Sequence, residues 1–139
     1  MYNQAYEIAA ATNSIIIIVT STYILIITDN YLAVFIILSG AMSFLTRAYR
    51  IKCKEYVMNH PIVYMDIGAA ILVFLTYIYD PIIICIYYPI LFAFGLMIIA
   101  AIMSWKIFTI DLVEESFIFQ LAGHIIISCS LISAIIYCI

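Results

Sequence analysis

Residues 47–66 read RAYRIKCKEYVMNHPIVYMD and hold four of the five Lys and Arg residues of the chain. The stretch ends in a carboxylate, Asp66, inside an apolar segment that begins at Pro61. Long apolar segments lie on both sides of the basic residues, so the pattern predicts a basic loop between two membrane-spanning helices. The stretch therefore predicts the orientation of the chain in a membrane and supplies the first candidate for chemistry.

The composition excludes a soluble globular domain. Apolar residues make up 68% of the 139 residues and charged residues only 9%, whereas soluble domains carry about 25% charged residues. So little polar surface cannot cover a water-soluble fold, and a lipid bilayer is the expected surrounding. The sequence contains no Gly-rich phosphate loop and no basic aromatic groove, so nucleic acid is not an expected partner.

Five apolar segments are predicted to cross about 30 Å of hydrocarbon, which takes about 20 helical residues; the second, with about 16, lies at the short end of the range. The predicted spans cover about residues 8–28, 31–46, 61–79, 81–105 and 117–137. The expected fold is an all-α, polytopic transmembrane helical bundle of about five spans in one domain, 1–139. Proline is tolerated at the first helical position, so His60-Pro61 and Asp80-Pro81 are predicted helix starts. Pro89 is expected either to kink the fourth helix or to shorten its span.

The basic residues predict the orientation. With five spans, all of them fall on one face of the membrane: Arg47, Arg50, Lys52, Lys54 and Lys106. Short cytoplasmic loops retain Lys and Arg, so the N-terminus is predicted inside and the C-terminus outside. Arg50, Lys52 and Lys54 are also candidates for contact with anionic lipid headgroups, which attract basic residues by about 1 kcal/mol per charge.

Five polar side chains in three spans are predicted to lie at one depth near the inner face. At 1.5 Å per residue, Asp66 lies about 8 Å along the third helix, and His124 lies about 12 Å along the fifth. Ser43 and Arg47 are one turn apart, as are Gln120 and His124. Ionisable groups inside spans are functional hypotheses by default. Two interpretations stay open: a site with Asp66, His124 and Ser43 as catalytic candidates, or a structural cluster in which Arg47 pairs with Asp66.

Three short motifs in these spans carry a family resemblance. They are Ser43-Phe-Leu-Thr-Arg47, Met65-Asp66-Ile67-Gly68-Ala69 and Gln120-Leu-Ala-Gly-His124. Their order resembles that of the CREST membrane hydrolases, which include the alkaline ceramidases and the progestin and adipoQ receptors. The resemblance implies a zinc-dependent hydrolase of lipid amides with seven spans. Arg47 and Gln120 stand at positions where that family has zinc-binding histidines.

A catalytic zinc site needs three protein ligands and an open position. With two histidine positions replaced, no cofactor and no metal site is expected, and the remaining candidates for a zinc ion are His124, Asp66 and His60. An enzymatic role stays open, with a non-enzymatic role favoured. The cysteines have no metal-ligand spacing, and Cys85 and Cys138 are candidates for a disulfide if the outer face is oxidising.

The expected protein is a small multi-pass integral membrane protein, a structural or assembly component of a viral or organelle membrane. Its partners are expected to be the lipid bilayer and other membrane proteins. The Ile-rich and Tyr-rich composition is typical of an A+T-rich genome, which suggests such a source. The alternative is a reduced relative of the CREST hydrolases, either active on lipid amides or inactive, with Asp66 and His124 as remnants of a zinc or lipid-amide site. A third hypothesis is an oligomeric channel lined by the hydroxyls of Thr20, Ser21 and Thr22.

Overall fold

A computed structural model describes residues 2–57, 59–79, 87–104 and 113–137. The five helices are α1 (Gln4–Thr28), α2 (Ala33–Cys53), α3 (Pro61–Tyr79), α4 (Tyr87–Ser104) and α5 (Val113–Tyr137). No strand occurs among the described residues, and the predicted all-α helical bundle is confirmed. The predictions made for Asp80-Pro81, Cys85, Lys106 and Cys138 fall outside these residues.

Helix α1 begins before the apolar run that marks it in the sequence. The Asn3 side chain accepts a hydrogen bond of 3.1 Å from the backbone N–H of Tyr6, as N-cap residues commonly do. The helix therefore includes Tyr6 and Glu7, which the predicted span, starting at residue 8, left outside; both are buried. It ends at Thr28, and the C-cap residue Asp29 has a φ of 53°, in the left-handed region. A short polar turn then leads into α2.

Helix α2 continues into the stretch that the sequence assigned to a basic loop. The predicted span ended at residue 46, whereas the helix ends at Cys53. The predicted span ended before Arg47, where the basic residues begin. Arg47 and Arg50 are instead buried inside the bundle, so α2 continues past them. Lys52 and Lys54 are exposed at its end. The basic loop is therefore shorter than predicted and starts at Lys54.

A proline begins the third helix, and another lies near the start of the fourth as it is described. Helix α3 begins at Pro61, and His60 Nδ1 accepts a hydrogen bond of 3.2 Å from the backbone N–H of Ile62. Proline is tolerated at the first position because the first N–H groups of a helix have no partner within the helix. Helix α4 is described from Tyr87, so Pro89 is its third described residue. The predicted kink or shortened span at Pro89 depends on residues outside the described ones and stays a prediction.

The helices form a closed ring in chain order. Each packs against its neighbours in the sequence, and α5 packs against α1. The starts of α1, α3 and α5 lie with the ends of α2 and α4, as the contacts between their side chains show. We call this the basic end, because Lys52 and Lys54 lie there. Away from it the centre of the ring is filled by large apolar side chains, among them Ile24, Ile36, Tyr77, Ile90 and Leu131.

Four helices within the described residues are long and apolar enough to cross a membrane. These segments are Gln4–Thr28, Ala33–Cys53, Pro61–Ile78 and Glu115–Tyr137. The apolar part of α4, Tyr88–Met103, is shorter. The length and composition of its helices make this chain a polytopic membrane protein. Five as the number of spans stays a prediction, as does the orientation.

Gly123 marks a close approach of α5 to α4. A Cβ atom added there would lie 2.7 Å from Met97 Cγ and 3.0 Å from the Ala93 carbonyl oxygen. Gly123→Ala is therefore expected to lower the free energy of unfolding by about 1–3 kcal/mol. At Gly68 an added Cβ meets no atom within 4 Å, so Gly68→Ala is the control and is expected to stabilise α3 by up to about 1 kcal/mol. SDS titration in detergent micelles, followed by circular dichroism, measures both, and equal effects would contradict the close packing.

Candidate functional site

A carboxylate and two guanidinium groups lie together inside the basic end. Glu7 comes from the first turn of α1, and Arg47 and Arg50 come from the last two turns of α2. Arg47 Nε lies 3.8 Å from Glu7 Oε2, and Arg50 Nη1 lies 3.8 Å from Glu7 Oε1. The three residues are 0%, 3% and 2% exposed, in the order Glu7, Arg47, Arg50, so water screens their attraction little. The cluster ties the start of α1 to the end of α2.

The two ion pairs are too long to be hydrogen bonds. Within the described part of the chain, neither carboxylate oxygen of Glu7 has a hydrogen-bond partner, and Arg47 Nε has none either. Buried polar atoms in proteins are nearly always hydrogen-bonded. This part of the cluster therefore keeps hydrogen-bonding capacity that the surrounding described residues do not use.

Gln120 of α5 connects this cluster to the rest of the bundle. Its Oε1 accepts hydrogen bonds from the Tyr6 hydroxyl at 2.6 Å and from Arg47 Nη2 at 3.0 Å. Its Nε2 donates to the Tyr56 hydroxyl at 2.9 Å and to Ser116 Oγ at 3.3 Å. An amide side chain offers two acceptor and two donor positions, and these four contacts use all of them. One side chain thereby joins α1, α2, α5 and the connection that follows α2.

Aromatic rings surround the charges. The Arg47 guanidinium carbon lies 5.5 Å from the centre of the Tyr6 ring, and that of Arg50 lies 4.1 Å from the centre of the Tyr56 ring. Phe117 stacks on Tyr6 with ring centres 4.5 Å apart and meets Tyr56 edge-on at 4.9 Å. Cation–π contacts of this kind are worth more when water is excluded. The rings therefore help to keep both arginines inside the bundle.

Ser14, Ser43 and His124 form a second polar group deeper in the ring. Ser14 Oγ donates to Ser43 Oγ at 3.1 Å, and Ser43 Oγ lies 3.4 Å from His124 Nε2. His124 is 1% exposed, and its Nδ1 has no hydrogen-bond partner among the described residues. A serine beside a histidine is the arrangement of an activated nucleophile. Here no described group orients the imidazole from its other side, and the adjoining cavity is only about 10 Å³.

Asp66 lies at the basic end, and no ion pair among the described residues includes it. The ion pairs within 4.0 Å in the described part of the chain join Arg47 to Glu7 and not to Asp66. The expected pairing of Arg47 with Asp66 is thus corrected, because α1 supplies a nearer carboxylate. Asp66 instead lines a cavity of about 40 Å³ together with Arg47, Arg50 and Gln120. That space can hold a few water molecules between the charged groups.

The Arg50 side chain does not point toward the membrane surface, where it would contact a lipid headgroup. The sequence grouped it with Lys52 and Lys54, but its side chain turns into the bundle, where Nε donates a 3.0 Å hydrogen bond to the Val57 carbonyl oxygen. The contacts with Glu7 inside the bundle explain this inward orientation. Lys52 and Lys54 are exposed and stay candidates for lipid headgroups.

The described residues do not fit a catalytic zinc site. His60 caps α3 and stacks on Tyr49 with ring centres 4.3 Å apart, so it is engaged away from His124. No cluster of three His, Cys, Asp or Glu side chains that could hold a metal ion occurs among the residues described. Arg47 brings a cation that donates to Gln120. The donor set of this cluster therefore suits hydrogen bonding and ion pairing.

The hydroxyl patch proposed to line a channel is turned inward or bonded within its own helix. Thr20 Oγ1 donates to the Ile16 carbonyl oxygen at 2.7 Å, and Thr22 Oγ1 donates to that of Ile18 at 2.7 Å. Ser21, between them, is buried inside the bundle. Hydroxyls bonded to their own backbone are common in membrane helices, and these give no specific support to a pore between copies of the chain.

Glu7, Tyr6 and Tyr56 belong to the cluster but were not among the residues predicted from the sequence. A signal was present in the spacing of polar residues. Glu7, Ser14 and Ser21 recur every seven residues, which places them on one face of α1. On α5 the buried polar residues recur every four: Ser116, Gln120, His124 and Ser128. Polar rows at helical spacing on two separate spans predict that both rows face the centre of the bundle.

No family model, curated protein or solved structure matches this chain. Its class therefore rests on the fold and on the buried residues. It is a small, all-α, polytopic membrane protein with a cluster of charged, amide and hydroxyl side chains inside one end of a five-helix ring.

Proposed function

We propose that this chain is a non-enzymatic structural or assembly component of a viral or organelle membrane. The observation that carries the proposal is that the polar side chains bond to one another between helices. Gln120 links α1, α2 and α5, and Ser43 lies between Ser14 of α1 and His124 of α5. Apolar side chains gain little by leaving lipid, so such interhelical bonds and close packing hold membrane bundles together.

The orientation forms part of the same proposal. The basic end faces the cytosolic side, so the N-terminus is inside and the C-terminus outside. The exposed Lys52 and Lys54 at that end support this orientation, and their exposure supports contact with lipid headgroups. Large apolar side chains are exposed on the outside of the ring, for example Ile26, Leu38 and Ile118. Such a surface suits the bilayer and other membrane proteins as partners.

A reduced CREST-type hydrolase acting on lipid amides is the second candidate. The contact of 3.4 Å between Ser43 Oγ and His124 Nε2 favours it, because both residues belong to the motifs that resemble that family. The burial of His124 and the small adjoining cavity leave little room for a substrate in this conformation.

Lipid-amide turnover and zinc content in liposomes separate the two candidates. The reconstituted protein is expected to hydrolyse ceramide no faster than its Ser43→Ala variant and to carry less than stoichiometric zinc. Cross-linking in the membranes of expressing cells is expected to yield discrete complexes of defined composition. The control is Ser133→Ala, since Ser133 is exposed on the same helix as His124. Turnover that Ser43→Ala and His124→Ala abolish and Ser133→Ala preserves would overturn the structural role.

A further inference from the structure

Two internal cavities lie one above the other in the ring and meet at the side chain of Met97. The first is the cavity of about 40 Å³ at the basic end, which Arg47 and Gln120 line. The second, of about 10 Å³, is lined by Ser43 and His124. Ser43 precedes Arg47 by one turn of α2, and His124 follows Gln120 by one turn of α5. The second cavity therefore lies about 6 Å deeper in the bundle. Among the described lining residues, Met97 of α4 is the one that lines both cavities.

The Met97 side chain forms the partition between the two cavities. A Cβ atom added at Gly123 would lie 2.7 Å from Met97 Cγ and 3.3 Å from Met97 Sδ, so the thioether packs over this glycine, which precedes His124 in the chain. Methionine is unbranched, with three rotatable side-chain bonds, and it fills irregular gaps in cores. A change of the Met97 rotamer can therefore open the partition without moving a helix.

The first cavity can supply water to the second. Its lining residue Tyr56 lies in the connection after α2 and is half-buried, so this cavity reaches the end of the bundle. A water molecule needs about 10–15 Å³ of cavity and two to four polar partners. By that measure the first cavity has room for about three water molecules. Its polar lining residues include Arg47, Asp66 and Gln120, which supply the partners.

The second cavity offers polar partners on one side only. Ser39, Ser43 and His124 line it, and His124 Nδ1 has no hydrogen-bond partner among the described residues. Its volume of about 10 Å³ is at the lower limit for one water molecule. Water that reaches His124 from the basic end meets apolar walls beyond it, because the other side chains that line this cavity pack in or against the apolar core: Ile17, Ile36, Phe94, Met97 and Ile127.

We propose that Ser43 and His124 form a water-binding site that is supplied from the basic end alone, with Met97 as its gate. In the present conformation the gate is closed, because Met97 lies between the two cavities. When its side chain leaves the partition, water from the first cavity comes within reach of the serine hydroxyl and the imidazole. The apolar walls stop the water there, so the bundle admits water from one side without forming a pore. The gate goes beyond the structural role proposed above, which does not require it, and failure of the test below leaves that role standing.

Deuterium exchange at the imidazole C2 position tests the gate, because its rate depends on the access of water to the ring. The full chain in detergent micelles is incubated in D₂O at fixed pH, and mass spectrometry of its peptides separates the two histidines, His60 and His124. We expect the open position of Met97 to be a minor state, populated to at most about 10%. Met97→Ala removes the partition and is therefore expected to raise the His124 rate at least about tenfold, with the His60 rate unchanged.

Three further variants define the route. Met103→Ala is the matched control, since Met103 is half-buried on the same helix and lines neither cavity; it should leave the His124 rate unchanged. Ala101→Leu fills the first cavity, which Ala101 lines, and is expected to slow His124 exchange severalfold, alone or together with Met97→Ala. Met97→Leu keeps the side-chain volume, a change that cores tolerate well. Its stiffer side chain should open less often, so His124 is expected to exchange more slowly than in the unmodified chain.

An unchanged His124 rate in Met97→Ala would overturn the proposal. An equal rise at His60, or in Met103→Ala, would overturn it too, because the bundle would then be loosened as a whole. Fast exchange in Met97→Ala that Ala101→Leu does not slow would mean that water reaches His124 by another route. Circular dichroism verifies the helices of each variant. If Met97→Ala is unfolded, Met97→Leu and Ala101→Leu decide, and His124 rates in both that equal the rate of the unmodified chain would contradict the gate.

Discussion

Glu7→Gln is expected to destabilise the bundle by about 3–5 kcal/mol, the range found when one partner of a buried ion pair is removed. The amide keeps the volume of the carboxylate but not its charge. Arg47 and Arg50 would lose the carboxylate that both approach at 3.8 Å, and their repulsion would then act in a setting that excludes water. SDS titration in detergent micelles, followed by circular dichroism, gives the free energy of unfolding.

The matched control is Glu115→Gln, because Glu115 is exposed at the start of α5; a change within about 0.5 kcal/mol is expected there.

The double variant Glu7→Gln/Arg47→Gln should be less destabilised than the sum of its single variants, since the second change removes a stranded charge. Asp66→Asn should cost less than Glu7→Gln, because no ion pair within 4.0 Å joins Asp66 to another described residue. Additive effects of Glu7→Gln and Arg47→Gln, or a larger loss from Asp66→Asn, would contradict the pairing.

The helices could be predicted from the apolar composition of the chain and from the polar residues and prolines that separate its apolar runs. Long apolar runs predicted helices, and His60-Pro61 predicted the start of α3, which the structure places at Pro61. The α1–α2 turn followed from Asp29-Asn30. These features are local: each depends on a few adjacent residues and on the length needed to cross a bilayer, so the sequence is sufficient to predict them.

The members of the polar cluster were harder to predict from the sequence, because the cluster depends on contacts between residues far apart in the chain. Tyr6 and Gln120 are 114 positions apart and share a 2.6 Å hydrogen bond. The predicted first span begins at about residue 8, where the apolar run begins, so Glu7 falls outside it. The rotation of α1 about its axis decides whether Glu7 faces water or the bundle. The spacing of Glu7, Ser14 and Ser21 indicates the inward face of α1, but it does not indicate that Arg47 and Arg50 are the side chains that Glu7 meets there.

The assignment of Arg50 to lipid headgroups failed for a related reason. Charge counts in short loops predict which face a loop occupies, but not whether a particular guanidinium group turns toward headgroups or toward the bundle. Arg50 turns inward because Glu7, the Val57 carbonyl oxygen and the Tyr56 ring all lie within its reach. An arginine can bury a long apolar stem and still place its charged end against several partners, so burial and orientation have to be read from the packed structure.

Gln120→Leu is expected to cost about 2–4 kcal/mol, because it leaves the buried Tyr6 hydroxyl and Arg47 Nη2 without the oxygen that accepts from both at 2.6 and 3.0 Å. Leucine fits the volume but accepts no hydrogen bond, so the loss reports on the amide. Gln4→Leu is the control: Gln4 is exposed in the first turn of α1 and should change stability by less than about 0.5 kcal/mol. Gln120→Glu keeps an acceptor for Arg47 and should lose less than Gln120→Leu. SDS titration measures all three; if Gln120→Leu were no worse than Gln4→Leu, water would be replacing the amide and α5 would be held to α1 and α2 by packing alone.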